Sequence, residues 1–192
     1  MGRRYPGAAA ALRWWPPVGV LATLALGWAV GRGSTPFDGW FSHRTREVFG
    51  EQPRWLLAFT SGWLVLAVLV GCLAVTLLRR QWALTAAVLI CPFVVTAAAQ
   101  GLKHLFDRRN GPYLAYPSGH TALLVAVLAM MVVVAHACRE ARRWALALAA
   151  ALSVLGMLGL VACGYHFLTD TLGAAMLATA LVCAAARLTS AL

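Results

Sequence analysis

Six stretches of nearly continuous apolar residues alternate with short polar islands along the chain: Trp14–Gly31, Trp55–Leu78, Trp82–Gln100, Thr121–Ala137, Trp144–Cys163 and Phe167–Ala186. Each is close to the roughly 17–25 residues that cross a bilayer as a helix. Glycine and proline inside them do not oppose that reading, because a helix satisfies its own backbone hydrogen bonds in hydrocarbon. The pattern predicts an all-α polytopic membrane protein. It divides into a basic cytoplasmic tail over 1–13 and one six-helix membrane domain over 14–192. The longest connection mixes Phe37, Trp40, Phe41 and Phe49 with charged residues, which predicts an amphipathic interfacial helix within 34–53. Gly31-Arg32-Gly33-Ser34 matches a small-x-small cleavage site poorly, so the first stretch reads as a retained span and not as a signal peptide.

Composition agrees with this pattern. Only 11% of residues are charged, whereas a soluble domain carries about a quarter. Arginines concentrate in the segments on the N-terminal side of the membrane once Lys103, Arg108 and Arg109 are set aside as site candidates. That bias predicts cytoplasmic N- and C-termini. Trp14, Trp15, Trp55, Trp82 and Trp144 stand at span ends, as interfacial anchors do. The net charge of +10 reads as topogenic arginine with some attraction to anionic headgroups. Nothing in the chain matches a nucleic-acid-binding module. The five cysteines form no Cys-x-x-Cys pair, which argues against a disulfide framework or a zinc site. Nothing fixes the oligomeric state.

The candidate chemistry collects at one set of span ends. Lys103, Arg108 and Arg109 follow the third stretch, Pro117-Ser118-Gly119-His120 opens the fourth, and His166 and Asp170 open the sixth. Hydropathy alone puts these groups on one side of the membrane. Ser118 is a fitting N-cap, and the first-turn amides beyond Gly119 form a ready anion site. His166 and Asp170 are four apart, the spacing of one helical face. A carboxylate there can hold one imidazole nitrogen and leave the other free to attack. His-x-x-x-Asp can also ligate a divalent cation. Against that, the only other acids on this side are Asp38, Glu47, Glu51 and Asp107, and the clustered cations would repel a metal. No metal and no cofactor are expected. Arginine forks suit the oxygens of a phosphoryl group.

These residues resemble the type-2 phosphatidic acid phosphatase superfamily, whose membrane members have a six-helix core. Its three motifs are Lys, six residues, Arg-Pro; Pro-Ser-Gly-His; and Ser-Arg, five residues, His, three residues, Asp. The second is complete as Pro117 to His120, and the end of the third is present as His166 and Asp170. The order and the placement at span ends also agree. Two departures stand out. Asn110 occupies the motif arginine seven residues after Lys103, with Arg108 and Arg109 just before it and Pro112 displaced; Gly159 and Leu160 occupy the Ser-Arg positions.

The resemblance implies metal-independent hydrolysis of a lipid phosphate or diphosphate through a phosphohistidine. It makes His166 the nucleophile, Asp170 its orienter and His120 the general acid and base. Lys103, Arg108, Arg109, Ser118 and Gly119 would bind phosphate, with the two arginines standing in for the one missing at Leu160. Candidate substrates are a polyprenyl diphosphate or polyprenyl-phosphate derivative, phosphatidate and phosphatidylglycerol phosphate. The Ala/Arg-rich composition with a single lysine points to a bacterial plasma membrane and its cell envelope, and the arginine bias puts the site on the outer side. A catalytically weak lipid-phosphate binder or transporter is the alternative.

Overall fold

The computed structural model describes residues 6–190. These form α1 (Pro6–Val30), α2 (Pro36–Phe49), α3 (Gly62–Leu78), α4 (Trp82–Phe106), α5 (Gly119–Val134), α6 (Arg139–Ala162) and α7 (Leu168–Ser190). A 3-10 turn, Arg54–Thr60, leads into α3, and two short strands, β1 (Arg109–Asn110) and β2 (Tyr113–Leu114), form a hairpin between α4 and α5. The hairpin pairs Arg109 with Leu114 and Asn110 with Tyr113. It is the one departure from an all-α reading among the described residues.

Five described helices are long and apolar enough to cross a membrane: Arg54–Leu78, Trp82–Phe106, Gly119–Ala137, Arg139–Ala162 and Leu168–Thr189. The expected count of six is not established, because α1 is not among them. Although 25 residues long, α1 carries Pro16 and Pro17 within it, beside Arg13, Trp14 and Trp15, which dilute its apolar run. It also begins at Pro6, inside the segment expected to be a tail; residues 1–5 of that expectation lie outside the described residues. A helix does form within 34–53, as α2.

α5 is the hub. Leu124, Ala126, Val127, Leu128 and Met130 are each no more than 1% exposed, because α3, α4, α6 and α7 all pack around α5. α1 lies along α7, held by small residues and side-chain bonds. Trp15 Nε1 donates to Thr179 Oγ1 at 3.0 Å, and Thr23 Oγ1 donates to the Gly173 carbonyl at 3.2 Å. At Gly19 a Cβ would meet the Ala180 Cβ at 2.8 Å. Close helix approach through small residues is the usual packing device where lipid removes the hydrophobic drive between helices.

α6 meets the 3-10 turn through the same device. A Cβ on Gly159 would lie 2.9 Å from the backbone carbon and oxygen of Leu56. Leu56 itself is 0% exposed, so this turn has no room to retreat. Gly159→Ala should therefore lower the melting temperature in detergent, by an overpacking cost of about 1–3 kcal/mol. Gly71→Ala on α3, where nothing lies within 4 Å, should leave it unchanged or raise it slightly. Equal melting of the two variants would contradict this packing.

Candidate active site

The site is built where α4 ends and α5 and α7 begin. α4 runs past Gln100 to Phe106, so Lys103 and His104 sit on its last turns and not in a connection. Asp107 ends the helix in the left-handed region at φ 43°. The chain then turns inward at Arg108 and outward again through the hairpin. The Ala115 amide closes the hairpin onto the Arg108 carbonyl at 2.7 Å. Ser118 caps α5, its Oγ accepting from the Thr121 amide at 3.3 Å. The Ser118 amide donates to the Asp170 carbonyl at 3.1 Å, which joins the starts of α5 and α7.

Arg108 is 0% exposed and sits behind the site. Its Nε donates to the Gly33 carbonyl at 3.0 Å. Nη1 donates to Thr169 Oγ1 at 2.6 Å and to Asp170 Oδ1 at 2.7 Å. Nη2 donates to Asp38 Oδ2 at 2.7 Å. The guanidinium also lies over the Phe167 ring, 4.8 Å from its centroid. With its donors committed this way, Arg108 departs from the expectation that it holds phosphate beside Arg109. The neighbouring Arg109 is the surface-facing cation: its side chain is 61% exposed and meets Asp107 Oδ1 at 3.2 Å.

Asp38 is the second buried carboxylate of this network, and sequence reading gave it no role. Its Oδ2 accepts from Thr35 Oγ1 at 2.7 Å and from the Thr35 amide at 3.2 Å. Its Oδ1 accepts from the Thr169 amide at 3.1 Å. Burial pushes the Asp38 carboxyl up, but the hydrogen bonds from Thr35, Thr169 and Arg108 outweigh it and hold it below the usual range. The Thr35-x-x-Asp38 pattern signals a capping box and hence the start of α2. It carries no hint of the arginine that the same carboxylate meets.

His166 lies two residues before α7, so it does not share a helical face with Asp170 as its spacing suggested. The start of the helix nevertheless brings them together, with His166 Nδ1 3.6 Å from Asp170 Oδ2. That is ion-pair range and longer than a hydrogen bond. His166 Nδ1 is buried and has no hydrogen-bond partner among the described residues. Asp170 Oδ2 accepts from the Phe167 amide at 2.8 Å, so both carboxylate oxygens are fixed. Asn110 secures the loop before His166, its Nδ2 donating to the carbonyls of Gly164 and Tyr165 at 2.9 and 3.2 Å. Leu160 is 3% exposed, and its carbonyl accepts from the Tyr165 amide at 3.0 Å. Lys103 is half-buried within electrostatic reach of Asp170, and exposed His120 is within reach of His166 and Lys103. His120, Lys103, His166, Asp170, Ser118 and Gly119 are therefore gathered at one end of the bundle; Arg109 stands at its surface, and Arg108 is set back inside.

The description "PAP2 superfamily" matches residues 90–192, more than half of the chain. This chain is a multi-pass membrane protein of the PAP2 superfamily. Its fold is similar to that of the crystal structure of "the first transmembrane PAP2 type phosphatidylglycerolphosphate phosphatase from Bacillus subtilis", with a TM-score of 0.75. That likeness is at 20% sequence identity and covers 93% of this chain and 98% of the other. No protein of curated function matches the sequence.

The ion pairs made by the two adjacent arginines should respond differently to mutation. Removing one partner of a buried ion pair strands a charge, which typically costs about 3–5 kcal/mol. Asp38→Ala should therefore lower the thermal stability of the purified protein severely. Arg109→Ala, which breaks an exposed pair, should hardly change it. A stable Asp38→Ala protein would show that the Arg108 network does not hold this end together.

Proposed function

We propose that the protein is a lipid phosphatase that removes a phosphate or diphosphate from a lipid headgroup through a phosphohistidine. The observation that carries this reading is the buried, unpartnered Nδ1 of His166, 3.6 Å from a carboxylate that Arg108 and the Phe167 amide hold still. In the reaction His166 Nε2 attacks phosphorus, and the bond to the lipid oxygen breaks. The leaving oxygen takes a proton from His120. His120 then takes a proton from water, whose oxygen attacks the phosphohistidine, and the phosphorus–nitrogen bond breaks to release phosphate. As the imidazole gains positive charge, Asp170 stabilises it. Catalytic hydrogen bonds of this kind often tighten only once substrate is bound.

Lys103, Arg109, Ser118 and the Gly119 backbone form the phosphate cradle in this reading. Arg108 and Asp38 act as positioning residues through Asp170. Phosphatidylglycerol phosphate is the substrate named for the Bacillus subtilis protein of similar fold. It belongs in the assay beside phosphatidate and polyprenyl diphosphate. Leu160 and Asn110, at positions where the family carries arginine, favour a second reading, a lipid-phosphate binder with little turnover.

Phosphate release by purified protein across that lipid panel, with EDTA in excess, separates the two. The expected result is release that survives EDTA, vanishes in His166→Ala and falls up to about 10⁴-fold in Asp170→Asn, as in triad enzymes. Arg109→Ala should cost about 10²–10³-fold, the usual loss for a contact made chiefly in the transition state. An active His166→Ala protein, or activity that Mg²⁺ must restore, would overturn the mechanism. Lipid binding without release would favour the second reading.

The reading also places the chemistry on the outer face. Tyr113, in the hairpin, is 76% exposed. Cysteine introduced there, in a background lacking the native five, should react with an impermeant maleimide in intact cells. Labelling only after permeabilisation would reverse the topology.

A further inference from the structure

A cavity of about 860 Å³ among the described residues lies away from the histidines, at the end of the bundle where α5 passes into α6. It opens to the surface and is floored by α5 through Leu128 and Val132, with Leu146 and Ala149 of α6 on one wall and Val182 and Cys183 of α7 on the other. It arises because α6 and α7 both pack on α5 but scarcely on each other. The cleft is deep enough to reach residues of the core: Leu128 and Val182 are each 1% exposed. Thr179, a polar group in the wall, offers no free donor, since its Oγ1 bonds the Ala175 carbonyl at 2.8 Å. Apart from Thr179 and Ser153, the side chains that α5, α6 and α7 present to the interior are apolar, a surface for hydrocarbon.

The mouth differs from the interior. His136, Arg142 and Arg187 line it, and Arg79, Arg80, Arg139 and Arg143 belong to the same end of the bundle, with Glu140 the one acid in these connections. Arg142 Nη1 approaches His136 Nδ1 at 3.4 Å, and among the described residues no carboxylate pairs with Arg142. An apolar cleft between spans, open at a mouth of one charge sign, is complementary to a molecule with hydrocarbon tails and an anionic head. Basic pockets of this form between transmembrane helices bind anionic headgroups.

We propose that this cleft is a binding site for an anionic phospholipid, with its tails between α6 and α7 against α5 and its phosphate at Arg142. The site is at the opposite end of α5 and α7 from His120 and His166, so it is separate from the proposed phosphatase chemistry and stands whether or not that reading holds. It would make the membrane's anionic lipid a stabilising wedge between two helices that scarcely touch each other.

The test uses the full-length protein, delipidated in an uncharged detergent. Phosphatidylglycerol and phosphatidylcholine with identical tails are compared; as phosphodiesters, neither carries the phosphomonoester or diphosphate that the proposed phosphatase removes. Phosphatidylglycerol should raise the melting temperature more and should survive as a bound lipid in native mass spectrometry. Arg142→Gln should weaken its apparent affinity about fivefold, the value of one arginine near an anionic headgroup. Ala150→Trp, which fills the cleft, should weaken both lipids. His166→Ala should retain the preference for phosphatidylglycerol.

Equal effects of the two lipids, or an Arg142→Gln protein with undiminished preference, would overturn the proposal. So would loss of the preference in His166→Ala, which would relocate the lipid to the active site. Cross-linking of two chains through a cysteine at position 146, undisturbed by lipid, would assign the cleft to a second copy instead. Arg142→Gln decides the matter even if Ala150→Trp fails to fold.

Discussion

A guanidinium buried among transmembrane helices must be paired, because desolvating a lone charge costs several kcal/mol. Arg108 meets that constraint with two carboxylates, Asp38 from α2 and Asp170 from α7, while Thr169 bonds to both the arginine and Asp38. Three segments distant in sequence are thereby fixed at one point. A small apolar cluster of Val30, Phe106 and Tyr116 packs at this end, and the polar pairing adds fixed directions to it. Two carboxylates to one guanidinium leave the cluster one negative charge in excess. His166 Nδ1, with no hydrogen-bond partner among the described residues, lies beside this cluster, 3.6 Å from Asp170 Oδ2.

Sequence reading recovered what depends on local pattern. Five of the six span-forming stretches, the Ser118 cap and the placement of the candidate residues at one end follow from hydropathy and spacing. What it missed depends on distance along the chain. Arg108 and Arg109 are adjacent and identical in chemistry, yet one is fully buried and the other mostly exposed. No periodicity distinguishes them, because the hairpin register decides which one turns inward. Asp38 was visible only as one acid among several, since its partner lies 70 residues away. His166 and Asp170 are neighbours, as their spacing suggested, but through a different geometry. α7 starts at Leu168, so a helix N-terminus, and not a helix face, brings them together. Apolar length also proved insufficient for α1, where Arg13 and the Trp14–Pro17 run intervene.

The two ends of the bundle solve different problems. At one, glycine contacts and a buried ion-pair network hold loops in place around two histidines. At the other, short arginine-bearing connections leave α6 and α7 apart and open a cleft down to α5. α5 and α7 contribute to both ends.

The short hairpin gives the count from Lys103 a geometric meaning. Helix α4 terminates at Asp107, and the pairing of Arg109 with Leu114 sets how the chain returns. Arg108 is the single residue between those two fixtures, and Asn110 is the first that can reach the loop before His166. Insertion or deletion of one residue here would exchange an inward side chain for an outward one while leaving composition almost unchanged. The length of this stretch, more than any single letter in it, sets which side chains face the network. Asn110, at that count from Lys103, thus acts on the loop before His166 through its side-chain amide.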